Sequence, residues 1–480
     1  MTPEQSESAP SRFDAVFKAY DIRGVVPDDL DARMAYAIGV GFATFVRAEV
    51  APGPDGALRA VVARDIRRSG AELAAAFSAG LLAGGLGVVD IGLASTDLLY
   101  FASGRLDMAG AMLTASHNPP AYNGIKLCLP GARPIGRDSG LQQIKAVAVE
   151  ALGSAPADGG VSLVDDDERV EEYDLLDEFA EHVRSFADLT SLRPLKVVAD
   201  TANGMGGLIA PRVFAGLPYE LEILFPDLDG SFPNHPADPI QIENLADLRA
   251  RIRESQADVG LAFDGDADRV FIVDETGEPM SGSLTTSIVA ATMLERRPGS
   301  TILYNLICSH AVPEIILERG GIPIRTRVGH SFIKAVMAET GAIFGGEHSG
   351  HYYFRDNYRA DSGIIAAMVV LEALSKADVP LSKLRVPYER YSDSGEINTE
   401  VPEPNKVIAM VAEHYLAAGG EIDDLDGITV QLVDWWFNLR PSNTEPLLRL
   451  NLEARDAAER DSHLGEVLDL IHRFAAEGAG

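Results

Sequence analysis

Three aspartates spaced two residues apart, Asp264, Asp266 and Asp268 in the run D-G-D-A-D-R, are the strongest chemical signal in this sequence. They follow an apolar, strand-like stretch. In an extended segment residues i, i+2 and i+4 point the same way, so the spacing predicts three converging carboxylates. Gly265 and Ala267 between them are small enough to let the loop wrap tightly. Like charges held that close need a cation, and an all-oxygen donor set favours hard Mg2+ or Ca2+. Counted from Asp264, Glu275 falls at the twelfth position of an EF-hand loop. Arg269, however, stands at the sixth, where the sharp turn of that loop demands glycine, and the V-F-I-V after it reads as a strand. A solvated acidic turn without metal is the plainer alternative.

Three further motifs could do chemistry. T-A-S-H-N-P at 114–119 ends an apolar strand and enters a Pro-rich turn, which puts Ser116 at a strand's carboxyl end, where α/β sheets place their sites. Lys126 follows closely and adds a cation behind a potential nucleophile. In R-P-S-N-T-E-P at 440–446, Arg440 can grip a phosphate bidentately while Ser442, Asn443, Thr444 and loop N–H groups supply more donors. In G-E-H-S-G-H at 346–351, Glu347 and Ser349 offer an acceptor and a donor suited to sugar hydroxyls. Taken singly, each of the three is also an ordinary polar turn.

Length and composition bound the elements that must position these groups. A chain of 480 residues with 46% hydrophobic residues can build several cores, about three by size alone. From residue 58 onward short apolar runs alternate with helical stretches, the pattern of α/β layers. Strands are expected at Leu58–Ala63, Leu195–Ala199, Val270–Asp274 and Thr301–Asn305, and helices at Gly70–Ala83, Met205–Phe214 and Ile364–Leu374. The last hundred residues group three strands between two helices, which marks an α+β domain hinged near residues 385–396. The expected division is a disordered polar tail (1–12), α/β domains at 13–154, 168–278 and 279–385, and the α+β domain at 386–480, with an acidic linker near 155–167.

A formal charge of −31 repels nucleic-acid phosphates and anionic lipid, so neither is an expected partner. Any phosphate site must therefore be a local cluster of cations. The two cysteines, Cys128 and Cys308, give no disulfide or metal spacing. With no apolar run long enough to span a bilayer and no signal-like apolar start, the expected location is cytoplasmic.

Together the four motifs resemble the α-D-phosphohexomutase family, and within it the phosphomannomutase/phosphoglucomutase branch. F-K-A-Y-D-I-R-G at 17–24 and R-V-G-H-S-F-I-K at 327–334 resemble it too, all six in family order. The resemblance implies three similar α/β domains and a fourth, TATA-binding-protein-like α+β domain around a central cleft. It implies that Ser116 is phosphorylated, and that Asp264, Asp266 and Asp268 bind Mg2+ together with a phosphoserine oxygen. Arg440, Ser442, Asn443 and Thr444 would hold the substrate's non-transferring phosphate, and Glu347 and Ser349 the sugar hydroxyls. Tyr20, Arg23, Lys126, Arg269, Gly329 and His330 would line the cleft. The implied reaction passes a phosphoryl group from phospho-Ser116 to a hexose phosphate through a hexose 1,6-bisphosphate, with Lys126 and His330 as candidate bases and Arg23 as electrostatic support.

One departure from the family pattern is the N-L-I-C-S stretch at 305–309, which lacks the lysine that several relatives aim at substrate; Arg325, Arg327 or His310 would have to compensate. R-P-S-N-T-E-P with G-E-H-S-G-H resembles the phosphomannomutase pattern more than that of phosphoglucosamine mutase, whose last loop usually carries glycine where Asn443 sits, and this resemblance implies mannose phosphates as substrates with glucose phosphates also turned over. Phosphoglucomutase and phosphoglucosamine mutase are the alternatives, and monomer and dimer both stay open. Two rival classes are a phosphatase using Asp264 as nucleophile and a non-catalytic Ca2+ module. Neither uses the whole set of groups.

Overall fold

The computed structural model describes residues 9–53, 55–161, 167–441 and 447–478. The chain packs as two compact units: residues up to Met280 together with Gly350–Ser382, and Ser281–Ser349 together with Lys383 onward.

The first unit carries two mixed sheets. In the first, β1 (Ile22–Val25), β2 (Arg59–Arg64), β3 (Gly87–Leu93), β4 (Ala109–Leu113), β5 (Tyr122–Leu129), β6 (Arg133–Pro134) and β7 (Val170–Glu172) run in the order β1-β5-β4-β2-β3-β7, with β6 on β5. Strands β4, β2, β3 and β7 are parallel, and β5 pairs antiparallel with both β4 and β1. Strand β4 (AGAML) is buried along its whole length, which explains its unbroken apolar run. Helices Ala32–Glu49, Gly70–Ala83 and Leu141–Ala151 share one core with β2, β4 and β5. Asp31 caps the first of these helices by accepting from Met34 N–H at 2.8 Å.

The second sheet holds β8 (Leu195–Asp200), β9 (Tyr219–Leu224), β10 (Val259–Phe263) and β11 (Val270–Asp274) in the order β11-β10-β8-β9. Only β11 is antiparallel, folding back from β10 through the loop that carries the three aspartates. Strand β15 (Tyr352–Phe354) and the mostly buried helix Gly363–Ala377 complete this unit.

In the second unit, β12 (Thr301–Asn305) pairs parallel with β13 (Ile322–Thr326) and β14 (Phe344–Gly346). The other sheet is antiparallel throughout, ordered β16-β20-β19-β18-β17 from β16 (Ser392–Glu400), β17 (Glu421–Asp423), β18 (Ile428–Gln431), β19 (Trp435–Pro441) and β20 (Leu447–Ala454). Alternation splits its residues cleanly. Phe437, Leu439, Leu448, Leu450 and Leu452 face the helices Pro404–Ala417 and Ala457–Gly478. The opposite face bears Glu396, Asn438, Arg440, Arg449 and Asn451.

The structure adds detail at three expected boundaries. Residues 9–12 belong to a helix, Ala9–Val16, and Arg12 pairs with Asp31 at 3.0 Å; residues 1–8 of the expected tail lie outside the described residues. Strand β7 lies within the expected 168–278 domain, yet it extends the first sheet beside β3, because its backbone satisfies that sheet's open edge. Residues 350–382, inside the expected 279–385 domain, pack with the first unit. Among the described residues no helix is long and apolar enough to cross a membrane.

Candidate active site

The first unit builds its site where β4 and β10 end. Beyond β4 the chain turns at Ser116, which holds φ +50°, a left-handed conformation unusual for a residue with a side chain. The surrounding structure fixes this turn. Ser116 N–H donates to Thr114 Oγ1 at 2.9 Å, and Thr114 Oγ1 donates to Asp65 Oδ2 at 2.6 Å. The Arg67 guanidinium, fully buried, gathers four carbonyls of the same loop: Ser116 and Asn118 at 2.7 Å, Pro119 and Tyr122 at 2.8 Å. Its charge is balanced by Asp65 at 3.2 Å.

Beyond β10, Asp264, Asp266 and Asp268 are all buried, with one oxygen from each lying within 4.8 Å of the others. They converge because the chain turns back on itself, not because it is extended. Ala267 N–H donates to Asp264 O at 3.1 Å and Ala267 sits at φ +59°. Gly265 is required there, since a Cβ would come 2.6 Å from Ser116 O. The serine loop and the aspartate loop thus touch through backbone.

Ser116 Oγ donates to Asp264 Oδ2 at 2.9 Å and lies 3.2 Å from His117 Nδ1. Lys126, on β5 opposite Met112 of β4, donates to Asp266 Oδ2 at 2.8 Å and Asp268 Oδ2 at 2.6 Å. Thr96, first residue of helix Thr96–Leu106, donates its N–H to Asp266 O at 3.0 Å and its hydroxyl to Asp266 Oδ2 at 2.5 Å. Arg269 Nε bonds Asp264 Oδ2 at 2.9 Å while its Nη2 lies 3.4 Å from Asp238. Arg23, on β1, reaches Asn118 Oδ1 and Asp21 Oδ2, each at 2.5 Å. Tyr20 lies in the partly exposed bend before β1.

Electrostatics follow from burial. Loss of solvent, with Asp268 and Asp266 as like-charged neighbours, pushes Asp264 up to about 7 against the pull of Arg269. Burial opposes charge on Asp266 too, but Lys126 outweighs it and holds that carboxyl below the usual range. The Lys126 ammonium also pays for burial, yet Asp266 and Asp268 keep it well above its ordinary value. Arg269 first, then burial, pushes His117 well below the usual histidine range.

The Oδ1 atoms of Asp266 and Asp268 are buried without a hydrogen-bond partner among the described residues. Three buried carboxylates with two orphaned oxygens fit a hard divalent cation. The EF-hand spacing does not survive folding: Glu275 lies beyond β11 and accepts from Ser382 N–H at 3.0 Å and from the Ser382 hydroxyl.

His351 completes this cluster and was not among the residues singled out, although it ends the G-E-H-S-G-H motif. Its Nδ1 lies 3.0 Å from Asp361 Oδ2 and 3.9 Å from Asp268 Oδ1, and its backbone bridges to Arg269. Asp65, Arg67, Thr96 and Asp361 belong to no motif and carried no signal in a single sequence.

In the second unit, Glu347 follows β14 and is buried; its Oε1 accepts from Gly329 N–H at 3.1 Å and Asn305 Nδ2 at 3.2 Å. Gly329 (φ +127°) precedes helix His330–Thr340, whose first side chain lies outside the described residues, and Ser349 sits in the partly exposed turn after Glu347. Arg440, 6% exposed, pairs with Glu396 at 2.5 Å. Ser442, Asn443 and Thr444 lie outside the described residues. Of the three groups expected to replace the missing lysine, Arg325 pairs with Asp423 and His310 stacks on Trp436 at 5.1 Å. Arg327 stays exposed, 4.9 Å over the Phe332 ring.

A serine whose hydroxyl meets a buried acidic loop, both at the ends of strands in mixed α/β sheets, has the parts of a phosphoryl-transfer site. The chain matches all four parts of one family: phosphoglucomutase/phosphomannomutase alpha/beta/alpha domains I over residues 14–151, II over 177–277 and III over 281–391, and the C-terminal domain over 396–470. It is 39% identical over 458 residues to phosphohexose mutases of Xanthomonas campestris, covering 95% of this chain and 98% of theirs. It is 36% identical over 446 residues to a phosphomannomutase of Escherichia coli strain K12, covering 92% and 94%. A solved phosphoglucomutase/phosphomannomutase family protein from Burkholderia thailandensis superposes with a TM-score of 0.83 at 35% identity, covering 96% of each chain. An Aspergillus fumigatus N-acetylphosphoglucosamine mutase, solved in complex with glucose 1,6-bisphosphate, shares the fold at a TM-score of 0.55 and 14% identity, covering 92% of this chain and 98% of its own. This chain belongs to the phosphoglucomutase/phosphomannomutase family of phosphohexomutases.

Proposed function

We propose that the protein interconverts mannose 6-phosphate and mannose 1-phosphate, and also turns over glucose phosphates, through phospho-Ser116 and a hexose 1,6-bisphosphate. The observation that carries this reading is Ser116 Oγ at 2.9 Å from Asp264, inside a buried carboxylate triad countered by Lys126. Its relatives named phosphomannomutase support the choice of mannose.

Asp264, Asp266 and Asp268, with an oxygen of phospho-Ser116, would hold Mg2+. Bound there, the ion would offset charge on the transferring phosphoryl oxygens. The chain's own groups do the rest. Phospho-Ser116 gives its phosphoryl to the free hydroxyl of the hexose phosphate: the serine O–P bond breaks, a sugar O–P bond forms, and the hydroxyl proton leaves to a base. The bisphosphate turns end for end and returns its other phosphate to Ser116. Lys126, kept protonated by two aspartates, acts as a cation, and Arg23 adds positive charge beside Asn118. His351 joins His330 as a candidate base, because donation from its Nδ1–H to Asp361 leaves Nε2 as the basic nitrogen. Glu347 and Ser349 take the sugar hydroxyls, Gly329, Arg269 and Tyr20 line the site, and Arg440 with Ser442, Asn443 and Thr444 takes the idle phosphate.

The test is a paired assay on mannose 1-phosphate and glucose 1-phosphate with Mg2+ and trace hexose 1,6-bisphosphate, wild type beside Ser116→Ala. Conversion to both 6-phosphates that collapses at least a thousandfold in the variant is expected. Release of inorganic phosphate with Ser116→Ala still active would replace the mutase by a phosphatase.

A further inference from the structure

After β9 the chain runs from residue 225 to 241 without helix or strand. A structureless run of that length inside a compact unit is uncommon and usually serves a site. This one lies over the supports of both the serine loop and the aspartate loop. A Cβ on Gly230 would meet Ile66 O at 2.5 Å, the Arg67 guanidinium carbon lies 5.4 Å over the Phe232 ring, and Asp238 Oδ1 is 3.4 Å from Arg269 Nη2. Ala237 and Phe232 also press on the aspartate loop, since a Cβ on Gly265 would stand 3.5 Å from each. Phe225 and Phe232 take φ +54° and +49°, conformations that bulky side chains adopt only under constraint.

His235 ties this segment to the sheet. Its Nε2 lies 3.2 and 3.1 Å from Oδ1 and Oδ2 of Asp200, the last residue of β8, and its Nδ1 lies 2.9 Å from Pro236 O. A carbonyl only accepts, and so does the Asp200 carboxylate, which also takes the Ala202 N–H at 3.0 Å. Both ring nitrogens must then carry protons, which makes His235 an imidazolium. It is the one ion-pair partner of Asp200 among the described residues, and Asp200 is 1% exposed. Burial works against the charge, but the hydrogen bond and charge of Asp200 outweigh it and raise His235 above the usual histidine value. The main charges acting on the ring are both negative, Asp200 on β8 and Asp247 in helix Ala246–Ser255, and the Phe225 ring meets it edge-on at 5.4 Å. Without the proton, one ring nitrogen would turn a lone pair to an acceptor, and Asp200 would stay buried with no counter-cation.

We propose that His235 is a positioning residue for the Ser116 and Asp264 site: its imidazolium pins residues 225–241 to the end of β8, that segment sets Arg67 and Arg269, and turnover declines when rising pH removes the proton. This rests on the reading of Ser116 as the phosphoryl carrier. His235 acts through the segment and not on the reacting atoms. Because the folded ring holds its proton more tightly than a free histidine, the pin is complete at lower pH and is lost as pH rises through its titration. Asp200→Asn isolates the proton. The amide Oδ1 still accepts from Ala202 N–H, and its Nδ2 donates to Nε2 of a neutral ring whose Nδ1–H still reaches Pro236 O.

The experiment compares wild type, Asp200→Asn and His235→Ala as intact enzymes. It reads kcat and KM on mannose 1-phosphate from about pH 6.5 to about pH 9.5. It also reads the protonation of His235 by NMR of isotope-labelled histidine, and amide hydrogen exchange at one fixed pH over residues 225–241 and 264–269. Wild type should show both His235 nitrogens protonated at neutral pH, and a kcat that falls over the range where that proton leaves. Asp200→Asn should keep its neutral-pH kcat within about threefold of wild type and lose that decline. His235→Ala should lower kcat about tenfold to a hundredfold at every pH, change KM less than about threefold, and speed exchange in both segments. A His235 ring already neutral at neutral pH in wild type, or a decline that persists unchanged in Asp200→Asn, overturns the pin. Exchange at 264–269 unaltered in His235→Ala overturns it too, with or without turnover. Exchange that rises there in a protein with no mutase turnover defeats the catalytic reading and leaves the pin standing.

Discussion

Lys126→Met puts the electrostatic account of the aspartate loop at risk most directly. The Lys126 ammonium is the counter-cation to Asp266 and Asp268, whose side chains are 0% and 1% exposed. Removing one partner from a buried ion pair costs about 3–5 kcal/mol, because the charge left behind stays out of water. Protonation sets a ceiling. Neutralising one aspartate at pH 7, about three units above its unfolded pKa, costs about 4 kcal/mol at about 1.4 kcal/mol per unit. The metal-free variant should therefore lose about 4 kcal/mol. A divalent cation held by the same carboxylates would restore the missing charge, and without the ammonium beside it would bind them more tightly. Mg2+ at a hundred times the variant's Kd, and close to the weaker Kd of wild type, returns about 2.7 kcal/mol to the variant against about 0.4 kcal/mol to wild type. In urea unfolding at pH 7.5, the gap between wild type and variant should shrink from about 4 kcal/mol in EDTA to below about 2 kcal/mol in excess Mg2+. An equal gap in both buffers would refute the reasoning, since the cation would then be irrelevant to those carboxylates.

Two further outcomes are expected. Burial pushes Asp97 up to about 7 despite hydrogen bonds from Ser362 and Ser95. Its folded form then binds more protons than the unfolded chain between about pH 4 and 7, so this group makes stability fall as pH rises through that window, by up to about 4 kcal/mol. Asp97→Asn, whose Oδ1 accepts from one hydroxyl while its Nδ2 donates to the other, should gain on wild type across the window and keep the advantage above it, and a difference that is flat with pH in thermal melts would sink the assignment. Arg67→Met should strand Asp65, cost about 3–5 kcal/mol and lower kcat at least tenfold by releasing four carbonyls of the Ser116 loop; a kcat within twofold of wild type would show that the loop holds its shape unaided.

Much of the scaffold is legible in the sequence because strands and helices buried on both faces in mixed α/β layers announce themselves by continuous apolar runs. Helix Gly70–Ala83 and strands Val270–Asp274 and Thr301–Asn305 fall where the pattern puts them. The failures share a physical cause. Helix Ala32–Glu49 holds Gly39 and Gly41, which read locally as breakers. They are there for contact: a Cβ on Gly39 would lie 2.2 Å from Phe77 O, and one on Gly80 would lie 2.1 Å from Tyr36 O, so these glycines let two helices pack backbone to backbone. Strand β16 carries Ile397 as its one large apolar residue and its first residues read as a hinge, yet it pairs along β20 because its backbone completes the sheet while Ile397 packs on the core.

The site divides along the same line. Ser116, Lys126 and the three aspartates were legible because each stands in a short motif whose chemistry is local. The groups that hold them are not local. Arg67 lies forty-nine residues before Ser116, and Thr96 lies 170 before the Asp266 it binds. A charged residue inside an ordinary α/β segment gives no hint that it is fully buried beneath a loop. The same holds for Arg449, which from the sequence is one arginine on an alternating strand. Only the register of β19 and β20 sets it against Arg440, and only β16 brings Glu396 between them. Chemistry that depends on residue type is written in motifs; chemistry that depends on which charges are forced to share a buried face is written in strand pairing.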